Sequence, residues 1–179
     1  MIKNVTFFGS SEVKVGSEVY DAAFRTAKLL AQKGYKIING GGPGIMRASS
    51  DGAKAGRGKS LAITFNPRDM THFEGKDPQN RADEERMCEN YVERTIQLLE
   101  AGDVYVFFNG GTGTVSEFGM AWGLARLYFG HHKPLILFGE FWHDILEAFG
   151  RKMLIRPEEI RVYRIVTTPE EVVEEIGKL

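Results

Sequence analysis

Short apolar runs alternate with longer amphipathic stretches along this chain. The runs at 5–8, 35–38, 61–65, 104–108, 134–138 and 162–166 have the length and composition of buried strands. The stretches between them predict helices over 17–33, 45–55, 83–101, 115–129, 142–149 and 168–178. The helix over 115–129 is apolar over much of its surface, so we expect it to be substantially buried. Such alternation is typical of βαβ units around a parallel sheet. We therefore expect an α/β fold: a Rossmann-like, doubly wound parallel sheet in three α/β/α layers, with a single domain over residues 1–179.

Several predicted helix ends carry their own signals. Gly34 follows the first helix as a C′ residue, and Gly102 ends the third. Thr168 and Glu171 have the spacing of a capping box at the start of the last helix. Between the third strand and the third helix, residues 66–80 are polar and lack a sustained period, so they predict a long loop.

Composition and charge narrow the partner classes. The chain has 23 Lys and Arg against 24 Asp and Glu, mixed along its length, which disfavours binding to nucleic acid through phosphates. The single Cys88 cannot form an intrachain disulfide, and no Cys or His run has zinc spacing, so we expect no metal. We find no signal peptide or membrane-spanning stretch, and we predict a cytoplasmic protein without a membrane partner.

Three loops that follow predicted strands are candidates for ligand binding. They are residues 9–11, 40–44 and 109–114, and the last two lead directly into helices. In open α/β sheets, ligands bind at the carboxyl ends of the strands, where the strand order reverses. Glycine lets the backbone approach a ligand closely, and a helix N-terminus favours an anion. Two such loops in one short chain predict a phosphate-bearing ligand.

Common nucleotide fingerprints do not fit these loops. The dinucleotide pattern would need glycine where Arg47 stands, and no acidic residue ends the third strand to hold a ribose. Residues 53–60 approach a P-loop, but Ala53 replaces its first glycine and the segment leads from a helix into a strand. Neither an NAD site nor a P-loop is predicted.

The segment from Asn109 to Glu117 has the sharpest pattern in the chain. Its sequence NGGTGTVSE places two threonine hydroxyls in the loop and the Glu117 carboxylate about one turn into the helix. A glutamate there can simply complement the helix dipole. Beside a phosphate-binding loop it can instead engage ribose hydroxyls or water, and stabilise positive charge that develops at C1′ of a sugar.

The same segment resembles the signature PGGxGTxxE of the LOG (Lonely Guy) phosphoribohydrolases, a family long mislabelled as lysine decarboxylases. It matches every position except the leading proline, which Asn109 replaces. The segment GGGPGIM at 40–46 is similar to the second motif of that family, and FGSS at 8–11 to its opening strand and turn. Arg94 falls where the family has an arginine on the helix before the signature strand, although Thr95 follows it in place of a common lysine.

The resemblance implies hydrolysis of the N-glycosidic bond of a nucleoside 5′-monophosphate, AMP or a modified purine nucleotide, to free base and ribose 5-phosphate. It implies a homodimer without a cofactor, and Arg94 and Glu117 as the catalytic pair. It further implies that the nucleotide and its phosphate are bound by Gly9, Ser10, Gly41, Gly42, Gly44, Met46, Gly110, Gly111, Thr112, Gly113 and Thr114.

Two further possibilities stay open. The departures at Asn109 and Thr95 leave room for a non-catalytic protein that binds or carries a nucleotide or the molybdenum cofactor on the same fold. The long loop, with His72 and Phe73 and with Arg81 and Arg86 nearby, is a candidate for covering the base, without any ranking among these residues.

Overall fold

The computed structural model describes residues 2–67, 70 and 75–179. Seven parallel strands form one sheet in the order β4-β3-β2-β1-β5-β6-β7. The strands are β1 (Asn4–Phe8), β2 (Lys36–Asn39), β3 (Ser60–Phe65), β4 (Glu84–Cys88), β5 (Val104–Phe107), β6 (Leu135–Phe138) and β7 (Tyr163–Val166). The helices are α1 (Glu18–Gln32), α2 (Ile45–Ala55), α3 (Tyr91–Ala101), α4 (Thr112–Leu127), α5 (Phe141–Lys152) and α6 (Pro169–Gly177), and a 3₁₀ turn covers Glu159–Arg161.

The helices cover both faces of the sheet, as the alternating pattern predicted. Helices α1, α2 and α6 pack on one face, with Leu30, Ile45 and Val172 among the buried side chains. Helices α3, α4 and α5 pack on the other, with Leu98 and Phe118 among the buried side chains. The central strands β1 and β5 are buried on both faces because both are covered by helices. The Rossmann-like three-layer fold is confirmed.

The predicted helix over 83–101 is wrong in its first half. Glu84–Cys88 is a seventh strand, paired in parallel with β3 from Leu61 opposite Glu84 to Phe65 opposite Cys88. The helix itself begins only at Tyr91, where the Asn90 side chain accepts a hydrogen bond from the Glu93 N–H. Strand β4 lies at the sheet edge and all of its residues except Cys88 are exposed, so its charged sequence lacks the apolar pattern of a buried strand.

Helix α4 also differs from its prediction. It begins at Thr112, three residues before the predicted start at 115, and it is not substantially buried. One face packs against the sheet through Phe118 and Ala121, while Met120 and Leu124 on the other face are exposed. The helix is apolar over much of its circumference, and within this chain only half of it is covered.

The other elements agree with their predictions to within a few residues. Ser17 caps α1, Gly34 follows it with a φ of 89°, and Thr168 forms the predicted capping box with Glu171. Across the described ranges, no helix has both the length and the apolar character that a bilayer crossing requires.

Candidate functional site

The order of the strands reverses between β1 and β5, the two central neighbours in the sheet. The chain first builds β2, β3 and β4 on one side of β1, then returns to place β5, β6 and β7 on the other. The loops after β1 and β5 therefore leave the sheet side by side, and the Ser10 N–H donates to the Asn109 carbonyl at 2.9 Å. This is the switch point where ligands of such folds bind.

A cavity of about 540 Å³ opens at this switch point. That volume suits a small-molecule ligand. Its lining comes from the end of β1 and the loop after it, the loop after β2, the first turn of α2, helix α3, and the start of α4 with the residue before it: Phe7, Phe8, Gly9, Ser10, Ser11, Glu12, Gly40, Met46, Tyr91, Arg94, Leu98, Gly111, Thr112, Gly113, Thr114, Ser116 and Glu117. Both members of the predicted catalytic pair are among them.

The N-terminus of α4 supplies unpaired backbone donors to the cavity. The first intrahelical bond runs from the Val115 N–H to the Gly111 carbonyl at 3.0 Å, and no side chain caps the helix. The N–H groups of Thr112, Gly113 and Thr114 thus have no intrahelical acceptor, as at any helix start. Together with the helix dipole they make a suitable site for a phosphate.

The second glycine loop is held behind the cavity by the buried Asn39. The Asn39 Nδ2 donates to the hydroxyls of Ser49 at 3.0 Å and Ser50 at 2.8 Å, and its Oδ1 accepts from the Gly41 N–H at 2.8 Å. Gly44 has a φ of 64°, and a Cβ there would overlap the Ser10 carbonyl oxygen. Glycine at 44 is therefore what lets α2 begin directly beneath the loop after β1.

Four predicted nucleotide-binding residues do not line the cavity: Gly41, Gly42, Gly44 and Gly110. They shape the loops instead, because a Cβ on Gly110 would lie 3.0 Å from the Ser10 backbone nitrogen and closer still to the Thr114 hydroxyl. The predicted residues Gly9, Ser10, Met46, Gly111, Thr112, Gly113 and Thr114 do line it. Ligand contact by any of them stays a prediction.

Arg94 lies in the cavity wall with its guanidinium held by two backbone carbonyls, the Glu117 carboxylate and the Met46 sulfur. Its Nε donates to the Ile63 carbonyl at 3.0 Å, and its Nη2 donates to the Gly40 carbonyl at 3.2 Å. Its Nη1 lies 3.4 Å from Oε1 of Glu117. A Cβ on residue 40 would overlap this guanidinium, which explains why the loop needs glycine there. The side chain is thus fixed in direction although its charge is buried.

Glu117 is the acidic partner in this buried pair, and its residue is 7% exposed. Burial raises the pKa of the carboxyl to about 7, and the attraction of Arg94 opposes that rise. A carboxyl with a pKa near neutrality can take up and release protons under ordinary conditions, as a general base must. The packing thus gives Glu117 a carboxyl pKa near neutrality, which its position at a helix start alone would not predict.

Tyr91 is a cavity residue that the sequence analysis missed. Its hydroxyl lies 2.9 Å from the Ser116 hydroxyl, linking the first turns of α3 and α4, and its ring packs edge-on against Phe65. The available signal was its spacing, because Tyr91 stands three residues before Arg94 and so shares a helix face with it.

The structure describes two of the four residues proposed to cover the base, and neither lines the cavity. Arg81 and Arg86 do not line the cavity, and the Arg86 guanidinium donates to the side chain of Gln97 at 2.8 Å. His72 and Phe73 lie outside the described residues.

Comparison with known proteins gives a family and one relative. A model of the SLOG cluster4 family matches residues 2–159. An uncharacterized protein of Archaeoglobus fulgidus is 33% identical over 104 residues, which cover 58% of this chain. The match spans 64% of that relative, slightly less than two thirds of its length.

Solved structures share the fold over nearly the whole chain. The molybdenum cofactor binding protein of Rippkaea orientalis superposes with a TM-score of 0.73 at 22% identity, covering 99% of this chain and 97% of its own. The structure of TM1055, a structural genomics target, superposes with a TM-score of 0.74 at 27% identity. The superposition covers 99% of this chain and 100% of TM1055. The molybdenum cofactor carrier protein of Chlamydomonas reinhardtii superposes with a TM-score of 0.72 at 15% identity. The superposition covers 99% of this chain and 98% of the carrier protein. Since the family model spans every element from β1 to the 3₁₀ turn, the chain belongs to the SLOG cluster4 family.

Proposed function

We propose that this protein hydrolyses the N-glycosidic bond of a nucleoside 5′-monophosphate, AMP or a modified purine nucleotide, to free base and ribose 5-phosphate. The observation that carries the proposal is the buried pair of Arg94 and Glu117, 3.4 Å apart, in a cavity that also contains an uncapped helix N-terminus. An anion-binding end and a proton-transfer end in one cavity are what a nucleotide hydrolase needs.

The cavity offers a place for each part of the nucleotide. The 5′-phosphate would accept hydrogen bonds from the free N–H groups of Thr112, Gly113 and Thr114. The base would lie against the less polar wall formed by Met46, Tyr91 and Leu98. The ribose would then lie between them, with C1′ near the carboxylate of Glu117.

In this reaction a water molecule attacks C1′ while the C1′–N bond breaks and its electron pair leaves with the base. Ionised Glu117 stabilises the positive charge that develops on the sugar and accepts a proton from the water. The departing base takes up a proton from solvent, and Glu117 returns to solvent the proton that it accepted, so that one water is consumed for each base released and the carboxylate is restored. Arg94 acts as a positioning residue, because its bonds to the Ile63 and Gly40 carbonyls hold its charge beside Glu117.

The test is to incubate the purified protein with a panel of nucleoside 5′-monophosphates and to follow free base and ribose 5-phosphate by chromatography. Glu117→Gln keeps the shape of the side chain but removes the base, and it should lower the release rate by at least about 100-fold while the nucleotide still binds. Glu147→Gln, the same change at an exposed position of α5, should leave the rate unchanged. Release that survives Glu117→Gln would contradict the mechanism.

A second candidate function is non-catalytic binding of a nucleotide or of the molybdenum cofactor. It is favoured by the fold shared with the Rippkaea orientalis binding protein over 99% of this chain, and by Asn109 in place of the signature proline. The same panel separates the two functions. Tight binding of one ligand, recovered intact after long incubation, would support the carrier and exclude the hydrolase.

We also propose that two copies of the chain associate through the exposed apolar face of α3 and α4. A groove of about 490 Å³ lies between these helices, lined in part by Ile96, Met120, Leu124 and Tyr128. A helix that is apolar around most of its circumference is normally covered on both sides. A second copy would cover the half of α4 that this chain leaves exposed, which agrees with the homodimer that the sequence resemblance implied.

A further inference from the structure

Glu12 is a carboxylate in the cavity wall that the proposed reaction does not use. It lines the cavity beside Ser10 and Ser11, on the loop that follows β1. The residue is exposed, and within the described ranges its carboxylate has neither an ion-pair partner nor a hydrogen bond. The same cavity is lined by the start of α4, where we propose that a phosphate binds, and a negative charge in that cavity disfavours an anion.

The backbone of Glu12 is fixed relative to the phosphate-binding end of the cavity. Its N–H donates to the Ser10 hydroxyl at 3.0 Å, and the Ser10 N–H donates to the Asn109 carbonyl at 2.9 Å. These two bonds tie the loop after β1 to the loop that leads into α4. The backbone of Glu12 is therefore fixed at the rim of the cavity, and the exposed carboxylate extends from that fixed point.

Positive charge in the described cavity lining comes from a single side chain, Arg94. That guanidinium is already bonded to the Ile63 and Gly40 carbonyls and paired with Glu117. In the proposed site, a first phosphate accepts hydrogen bonds from the backbone N–H groups at the start of α4. A second phosphate would find no free lysine or arginine there, and it would lie in the field of Glu12.

We propose that Glu12 restricts the anion site to ligands that end in a single phosphate by repelling a second one. This deepens the proposed function, on which the identity of the ligand as a nucleotide rests. The physical basis is charge repulsion at the exposed rim of the cavity, where salt weakens the interaction without removing it.

The experiment measures dissociation constants by isothermal titration calorimetry for AMP and ADP, and in parallel for inorganic phosphate and pyrophosphate. Wild type is compared with Glu12→Gln, Glu12→Lys and the control Glu18→Gln, an exposed glutamate that does not line the cavity. In Glu12→Gln, the preference for AMP over ADP should fall about tenfold, and it should fall further in Glu12→Lys. The control should keep the wild-type ratio.

The outcomes separate this inference from the proposed function. If AMP binds and both Glu12 variants keep the wild-type ratio, the role of Glu12 is overturned and the proposed function stands. If AMP does not bind but Glu12→Gln shifts the ratio of phosphate to pyrophosphate, the nucleotide function fails and the role of Glu12 stands. If neither AMP nor phosphate binds to the wild type, both are overturned.

Discussion

The proposed reaction depends on a buried carboxyl, Glu117, that lies beside a buried guanidinium, Arg94. Arg94 lies 3.4 Å from Glu117 and favours the ionised carboxylate, yet burial still raises the pKa of Glu117 to about 7. The raised value means that the folded protein binds the proton more tightly than an exposed glutamate does. Below neutral pH the pair therefore consists of a neutral acid and a charged arginine.

This protonation predicts the pH dependence of the reaction. Because the base form of Glu117 is needed, kcat/KM should rise as pH increases and should be half-maximal at about pH 7. Measuring base release between about pH 5.5 and about pH 8.5 under subsaturating substrate would show this rise. A flat profile over that range would exclude Glu117 as the general base.

The proposed catalytic pair and the cavity loops show which parts of a candidate site a sequence can indicate. The glycines and threonines after β5 and the carboxylate of Glu117 follow one another within nine positions, so their proximity is local. Glu12 and Tyr91 come from other elements, and although Glu12 directly follows the candidate loop at 9–11, neither residue belongs to the signature segment. Only the parallel pairing of β1 with β5 and the packing of α3 bring them to the same cavity.

At the scale of the elements, the start of α6 tests whether the capping box that the sequence predicts stabilises the protein. The Thr168 hydroxyl accepts from the Glu171 N–H at 3.2 Å, and the Glu171 carboxylate accepts from the Thr168 N–H. Thr168→Ala should lower the free energy of unfolding by about 1 kcal/mol because the helix loses its cap. The free energy of unfolding of both proteins is measured by urea denaturation, with the loss of helix monitored by circular dichroism.

The matched control for the cap is Thr168→Ser, which keeps a hydroxyl at the same position. It should recover most of the lost stability, since serine caps helices at least as well as threonine. Equal stability of the alanine and serine variants would show that the capping bond does not contribute.

Strand β4 shows why some elements are not readable from local sequence. Residues 84–88 are Glu-Glu-Arg-Met-Cys, of which four residues are exposed, and they lead into a helix with only two residues between. Their residue types favour helix over strand in isolation. The backbone hydrogen bonds to β3 determine the outcome instead, and these exist only once β3 is part of the sheet.

At the scale of the whole molecule, the proposed dimer predicts that a charged substitution on its contact face halves the mass of the protein in solution. Leu124→Glu places a charge on the exposed apolar face of α4, where a second copy would have to bury it without a partner. The variant should elute as a monomer while the wild type elutes as a dimer in size-exclusion chromatography with light scattering. Leu179→Glu, the same change at the exposed chain end beyond α6, should remain dimeric.

A monomeric wild type would overturn the proposed association and leave the site geometry intact. A Leu124→Glu variant that remains dimeric would place the contact on another face. Because Leu124 is 40% exposed and makes part of the groove, the substitution tests the surface without opening the core.

The sequence by itself determined the class of fold, most of the helix boundaries and the local part of the site. Those features depend on hydrophobic period, helix caps and glycine-rich turns, all of which act between residues close in the chain. Only the tertiary structure decided the seventh strand, the half-covered α4, and the convergence of Arg94, Glu117, Tyr91 and Glu12 on one cavity. The raised pKa of Glu117 likewise arises from desolvation, and a carboxyl is desolvated only when distant segments pack around it.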